Sequence, residues 1–238
     1  VYATLSRSEQ WAPFLNDADE TSFVIGCPAG WKPRDRERYK DIMSKAGFDN
    51  VHIVNQDILK LNIANLIDEE FGGLRPMVCA NLPYNVTTPI LTALIESGCF
   101  DSITVMVQKE VAQRICASPN TADYGAFTVF CQWYMEPSLL FTVPPSCFIP
   151  QPKVTSAVIT MKKREAPPAE VDDEALMFRI VRAAFNQRRK TLVNAVSSGL
   201  GLDKERIENS LKNCGLDGKI RGEALSITQF AQISNKYR

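Results

Sequence analysis

One histidine in 238 residues, no two cysteines in a C-x-x-C arrangement, and no apolar run near the length of a membrane-spanning helix: these absences remove several classes of protein at once. A spanning helix needs roughly 18 to 20 apolar residues, and none is present. The N-terminus does not read as a signal peptide, and because the chain opens on Val1 rather than Met, a fragment or a trimmed chain is expected. The seven cysteines, Cys27, Cys79, Cys99, Cys116, Cys131, Cys147 and Cys214, are odd in number and scattered. That argues against a disulfide framework and a zinc site, and for a reducing, cytoplasmic compartment with no metal. His52 lies in the strand-like Val51-His52-Ile53-Val54 with no titrating neighbour in sequence, so it is read as structural and histidine-based catalysis is not expected.

Net charge is lacking too, with 27 Lys+Arg against 27 Asp+Glu, but it is unevenly spread. From Asp172 to Arg238 there are 12 basic and 8 acidic residues, and the remainder holds 15 and 19. The C-terminal third is the basic part, as a surface that grips a phosphate backbone would be.

What is present is a 45% apolar, 23% charged chain, long enough for one large domain and a small one. Val51–Val54, Met77–Ala80 and Ile103–Val107 read as buried strands, being short, rich in β-branched residues and followed by loop residues. Ile63–Glu70 and Ile90–Glu96 read as helices between them, the second with Thr88 as N-cap and Pro89 at its first position. Lys109–Ala117 and Ala126–Tyr134 are helical, and Leu139–Val143 with Val154–Met161 form a closing pair of strands. Alternating strands and helices imply a parallel sheet, and the closing pair an antiparallel edge. Such an α/β sheet keeps its reactive crevice at the strand C-termini.

The Pro-rich Glu165–Glu170 reads as a hinge, so that residues 1–165 and 172–238 form two domains. Beyond it every pattern is helical. Glu174–Asn186 carries Leu176, Ile180, Val181 and Phe185 on one side; Arg189–Ser198 is expected to end at Gly199 as C-cap. Lys204–Asn213 follows Asp203 as N-cap, and Ser226 to Gln229 forms a capping box before a helix that buries Phe230 and Ile233.

The chemistry concentrates at Asn81-Leu82-Pro83-Tyr84, directly after a buried strand. The N6 amine of adenine is a poor nucleophile because its lone pair is delocalised into the ring. Hydrogen bonds accepted from both of its N–H groups localise that pair. Asn81 offers a side-chain carbonyl and Leu82 a backbone one, while Pro83 fixes φ and removes a donor. Tyr84 offers a flat face, and a base taken from its stack needs aromatic replacements worth roughly 1–3 kcal/mol each.

Asn81 to Pro89 resembles motif IV of the small-subunit ribosomal RNA adenine N6,N6-dimethyltransferases. Further stretches follow in that family's order: Gln108 to Arg114, Tyr124-Gly125, Phe148-x-Pro150-x-Pro152-Lys153-Val154-x-Ser156-Ala157-Val158, Phe185-x-Gln187-Arg188-Arg189-Lys190-Thr191-Leu192, and Arg221-Gly222-Glu223-x-Leu225-Ser226. The resemblance runs from about Asn50 to the C-terminus. It implies a Rossmann-like S-adenosylmethionine-dependent methyltransferase sheet with a small C-terminal all-helical domain. It also implies Phe148 stacking on the target adenine opposite Tyr84, Asp57 and Ile58 beside the adenine of S-adenosylmethionine with Asn81, and RNA held by Lys153, Arg188, Arg189, Lys190 and Arg221. The partner implied is small-subunit rRNA in a pre-30S particle, met by a monomer.

The first 50 residues depart from that pattern. The family shows a strand running into a G-x-G-x-G loop, then a second strand ending in an acid. Val1-Tyr2-Ala3 is a candidate for that second strand, yet the first nearby acid is Glu9. Phe23 to Gly30 is a strand leading into a two-glycine turn of the wrong spacing, read as an ordinary turn. N-terminal truncation of the sheet, assembly from discontinuous segments, and divergence all remain open. The leading expectation is dimethylation of small-subunit rRNA; the alternatives are a non-catalytic RNA-binding or ribosome-assembly factor, a methylase of large-subunit rRNA, and, further off, a DNA adenine methylase.

Overall fold

β-Branched runs and helical spacing place the elements where local chemistry demands them. The structure, a computed structural model, describes residues 22–26, 32–45 and 50–237. The candidate second strand at Val1-Tyr2-Ala3, Glu9, and the turn at Cys27 to Gly30 lie outside the described residues.

Two compact units divide the chain, one from Val1–Pro76 with Thr88–Cys99 and the other from Met77–Thr87 with Phe100–Arg238. In the first, β1 (Ser22–Gly26) pairs in parallel with β2 (Asn50–Val54), joined by α1 (Pro33–Lys45). α2 (Ile63–Phe71) opens on Asn62, whose side chain accepts from the Asn65 N–H, and stops at Gly72 in the left-handed region. His52 does have a partner here: its Nδ1 lies 2.7 Å from Glu70 Oε2, a pair formed only when β2 and α2 pack.

α3 (Thr87–Glu96) buries Ile90, Leu91, Leu94 and Ile95, the four residues expected, but starts earlier than Thr88 as N-cap would allow. The Thr87 hydroxyl donates to the Pro83 carbonyl at 3.0 Å, drawing the first turn forward. Pro89 is then the third residue of the helix, still in its first turn, where its missing N–H costs nothing.

In the second unit the four-stranded sheet runs β3 (Met77–Asn81), β4 (Ser102–Gln108), β6 (Ser156–Lys163), β5 (Met135–Val143). β3 and β4 are parallel, while β6 is antiparallel to both neighbours, as the closing strand pair predicts. β4 is central, with Ile103, Val105 and Val107 almost fully buried. α4 (Lys109–Ile115) follows β4 directly, and α5 (Ala126–Tyr134) leads straight into β5, which is four residues longer than Leu139–Val143.

Four further helices complete this unit: α6 (Glu174–Asn186), α7 (Leu192–Leu200), α8 (Lys204–Asn213) and α9 (Ile227–Tyr237). Asp203 caps α8 as predicted, Asp173 caps α6, and Ser226 and Gln229 exchange both bonds of the capping box. A single apolar core joins Tyr124, Val129 and Trp133 to Met177, Ile180, Leu192 and Phe230. At full burial each such side chain contributes about 1.5–3 kcal/mol.

The expectation for α7 is corrected. Thr191 caps it and Gly201, at φ 66°, ends it, so Arg189 and Lys190 precede the helix and Gly199 lies inside. Gly199 is there for packing: a Cβ at this position would stand 3.2 Å from the Ala183 Cβ of α6.

Candidate functional site

Asn81 ends β3 opposite Met106, and the Leu82 N–H extends the ladder by donating to the Met106 carbonyl at 3.1 Å. Leu82 is buried and roots the segment, leaving Asn81 and Pro83 exposed and Tyr84 half-buried. The Val86 N–H donates to the Pro83 carbonyl at 3.2 Å and closes the turn. A second segment faces it. Pro145–Cys147 forms a 3-10 turn, with the Phe148 N–H donating to the Pro145 carbonyl at 3.1 Å. Beyond it the Thr155 carbonyl accepts from the Lys109 N–H at 2.9 Å.

Between these segments lies a recess of about 340 Å³ lined by Asn81, Leu82, Pro83, Tyr84, Phe148, Pro150 and Pro152. The volume falls within the roughly 300–1,000 Å³ of small-molecule sites. Its lining side chains are apolar apart from the Asn81 amide and the Tyr84 hydroxyl. That hydroxyl lies 2.5 Å from Ser156 Oγ, a bond that sequence reasoning missed although Ser156 stands in the same motif as Phe148.

Asp57 and Ile58 belong to the other unit. Asp57 is exposed at the end of β2, and its Oδ1 accepts from the Leu59 N–H at 3.1 Å to cap the 3-10 turn Ile58–Lys60. Lys153 is exposed on the Phe148 segment. Arg189 and Lys190 are exposed on a turn closed by the Lys190 N–H donating to the Gln187 carbonyl at 2.8 Å. The Leu192 N–H donates to the Ile220 carbonyl at 2.8 Å, which draws exposed Arg221 toward that turn.

Arg188 is employed differently from its neighbours. Its Nη1 donates to the Ala122 carbonyl at 3.0 Å, its Nε approaches Glu223 Oε2 at 3.3 Å, and its guanidinium stands 5.9 Å from the Phe185 ring. Glu223 also accepts from the Asn120 N–H at 2.8 Å through its carbonyl, and the Tyr124 hydroxyl donates to the Leu225 carbonyl at 3.0 Å. Three separate motifs therefore meet at one structural node. Burial pushes the Tyr124 phenol well above its ordinary range, so it stays a donor. Arg179 and Arg182 are exposed on α6, and their spacing of three puts them on one face of that helix. Among the described residues no group of three His, Cys, Asp or Glu is placed to hold a metal, and no helix is long and apolar enough to cross a membrane.

The sheet, with its reactive loop after a parallel strand and an antiparallel closing strand, is that of the Rossmann-like methyltransferases. Two solved structures share it: a dimethyladenosine transferase from Plasmodium falciparum, with TM-score 0.67, 18% identity, and 90% of this chain and 88% of that one covered; and the 23S rRNA methyltransferase ErmE, with 0.64, 20%, 97% and 87%. At those identities the likeness is one of fold.

Sequence takes the assignment further: the chain belongs to the ribosomal RNA adenine dimethylase family, whose profile matches residues 36–238. Among its relatives is the ribosomal RNA small subunit methyltransferase A of Lachnoclostridium phytofermentans, 45% identical over 193 residues, covering 80% of this chain and 67% of the relative. The protein of the same name from Bacillus cytotoxicus is 48% identical over 195 residues, with the same coverage. The chain thus spans about two thirds of the length of these relatives.

Proposed function

We propose that this chain carries methyl groups from S-adenosylmethionine to N6 of adenines in small-subunit ribosomal RNA, twice on each of two neighbouring adenines. The observation that carries the reading is the recess with Asn81 to Tyr84 on one wall and Phe148 on the other, in a member of the dimethylase family. A flipped adenine fits between the two aromatic side chains. Asn81 Oδ1 and the Leu82 carbonyl accept from the two N6–H groups, directing the lone pair outward. S-adenosylmethionine, when bound, supplies a sulfonium methyl that needs no further activation. The residues of the recess would hold N6 toward that methyl, and the proton that N6 gives up on transfer would pass to solvent. Positioning and polarisation supply the rate, which agrees with a recess that holds neither histidine nor paired carboxylates.

Asp57 fits the cofactor role, because only Oδ1 is used in capping and the exposed carboxylate keeps Oδ2 for an amino group of the adenine, beside the Ile58 backbone. Residues 172–238 form the RNA-gripping part, in which Arg189, Lys190 and Arg221, with Lys153 from the segment that carries Phe148, meet phosphates. Arg188 belongs with them chiefly by holding their turn in place. The reading places the chain as a monomer on a pre-30S particle in the cytoplasm.

Substituting Asn81→Ala tests it: methyl transfer to small-subunit rRNA falls at least a hundredfold while RNA affinity stays within about twofold, by analogy with loss of a positioned polarising group. Full activity in that variant would refute the assigned chemistry. The lack of any G-x-G-x-G in the sequence favours a second reading, RNA binding without methylation. Calorimetric titration with S-adenosylmethionine separates the two, since micromolar binding supports the enzyme and no binding by the folded chain supports the binding factor.

A further inference from the structure

Stacking an adenine requires only a flat ring, and the wall supplied by Phe148 meets that need without a polar atom. The opposite wall is a tyrosine, and its hydroxyl is spent on Ser156. Ser156 is completely buried at the start of β6, held in register opposite Gln108 of β4 and Val143 of β5. Two strands thus make it an immobile post. At its other end Tyr84 is held through the backbone, where the Pro83 carbonyl accepts from both the Val86 N–H and the Thr87 hydroxyl. A tyrosine side chain turns about two main torsions, and holding the backbone and the hydroxyl together fixes the first, the one that swings the ring, because the hydroxyl lies on the axis of the second.

We infer that Ser156 is a positioning residue for the methyl-transfer site: by anchoring the Tyr84 hydroxyl it keeps that ring from swinging out of its place in the wall, so the recess is ready-made for a flipped adenine. The inference rests on reading the recess as the adenine pocket. Tyr84 is then the wall that is set before the base arrives. Ordering of the Tyr84 ring takes place when the protein folds and not when RNA binds, which is where preorganisation gains affinity for the reacting geometry. Without the anchor the ring is free to turn into the space the base must occupy.

The test uses the 238-residue chain and an RNA hairpin whose loop carries 2-aminopurine in place of one of two adjacent adenines. Its fluorescence reports unstacking from RNA and restacking in the protein, and needs no methyl donor. With Ser156→Ala and with Tyr84→Phe, hairpin affinity stays within about twofold, while the stacked signal at saturation falls and the methylation kcat on small-subunit rRNA drops about three- to tenfold, the worth of one net hydrogen bond. The double variant falls no further than either single one, because both remove the same bond. Losses that multiply in the double variant would overturn the inference. So would a Tyr84→Phe protein with the wild-type signal, or a lowered melting temperature in Ser156→Ala with the stacked signal intact. If the buried-site variant does not fold, Tyr84→Phe alone carries the test, since it breaks the bond from the recess side. A wild-type signal in Tyr84→Ala would refute the adenine-pocket reading itself.

Discussion

Gly222 packs more tightly than any other described glycine, and it yields a sharp prediction. A Cβ built there would stand 2.6 Å from the Ala184 Cβ and 3.5 Å from its Cα. Carbon atoms pack best at about 3.5–4.0 Å, so Gly222→Ala creates an overlap of about 1 Å. Neither side can yield cheaply: Ala184 has no rotamer to change and is 2% exposed in the last turn of α6, while Gly222 is buried in the 3-10 turn Gly222–Ala224. The turn must move, and with it Glu223, which holds both the Asn120 N–H and Arg188. The cost is that of overpacking, about 1–3 kcal/mol. Urea unfolding followed by tryptophan fluorescence measures it, since Trp133 lies in the same core. Ala184→Gly alone costs about 1 kcal/mol from helix propensity. Combined with Gly222→Ala it relieves the clash, so the double variant should be more stable than the sum of the singles by at least about 1 kcal/mol. A loss in Gly222→Ala below about 0.5 kcal/mol, or additivity within that margin, would refute the packing argument.

Arg189→Ala and Lys190→Ala should each weaken RNA binding across sequences and reduce the salt slope by about 0.7–0.9 for each phosphate no longer neutralised; an unchanged slope would remove these residues from the interface. Arg188→Ala should instead lower stability by about 1 kcal/mol in the absence of RNA, read as a shift in the urea midpoint. Tyr124 carries an alkaline signature. Because its folded-state pKa is raised, the stability it contributes is fully present below the ordinary phenol value of about 10 and is lost as pH rises through the folded value. Tyr124→Phe should therefore flatten the fall in unfolding free energy above pH ~10 while lowering stability at neutral pH by about 1–3 kcal/mol, as the Leu225 carbonyl loses its donor. An alkaline limb identical to wild type would sink that assignment.

Much of the architecture could be read from local chemistry. Asp203 and Ser226 cap the helices predicted for them, because a cap is a hydrogen bond to a residue three positions away. β4 and the buried face of α3 follow from the periodicity of their own residues, and Asn81 to Tyr84 and Phe148 to Pro152 are legible as motifs. Gly199 could not be separated from Gly201 as the end of α7, since one glycine serves a turn and the other serves packing against Ala183. Arg188 resembles Arg189 and Lys190 in sequence, yet its partners Ala122 and Glu223 lie 66 and 35 residues away.

Sequence by itself determined the family, the element order from β2 onward and the identities of the recess residues, because propensities, caps and motifs are written within a few neighbouring positions. Tertiary structure alone decided that His52 meets Glu70, that Gly222 must admit Ala184, and that the Tyr84 hydroxyl reaches Ser156, 72 residues on. Those pairings exist only once strands and helices have packed, since a short-range pattern carries no information about which distant side chain will arrive within about 3 Å.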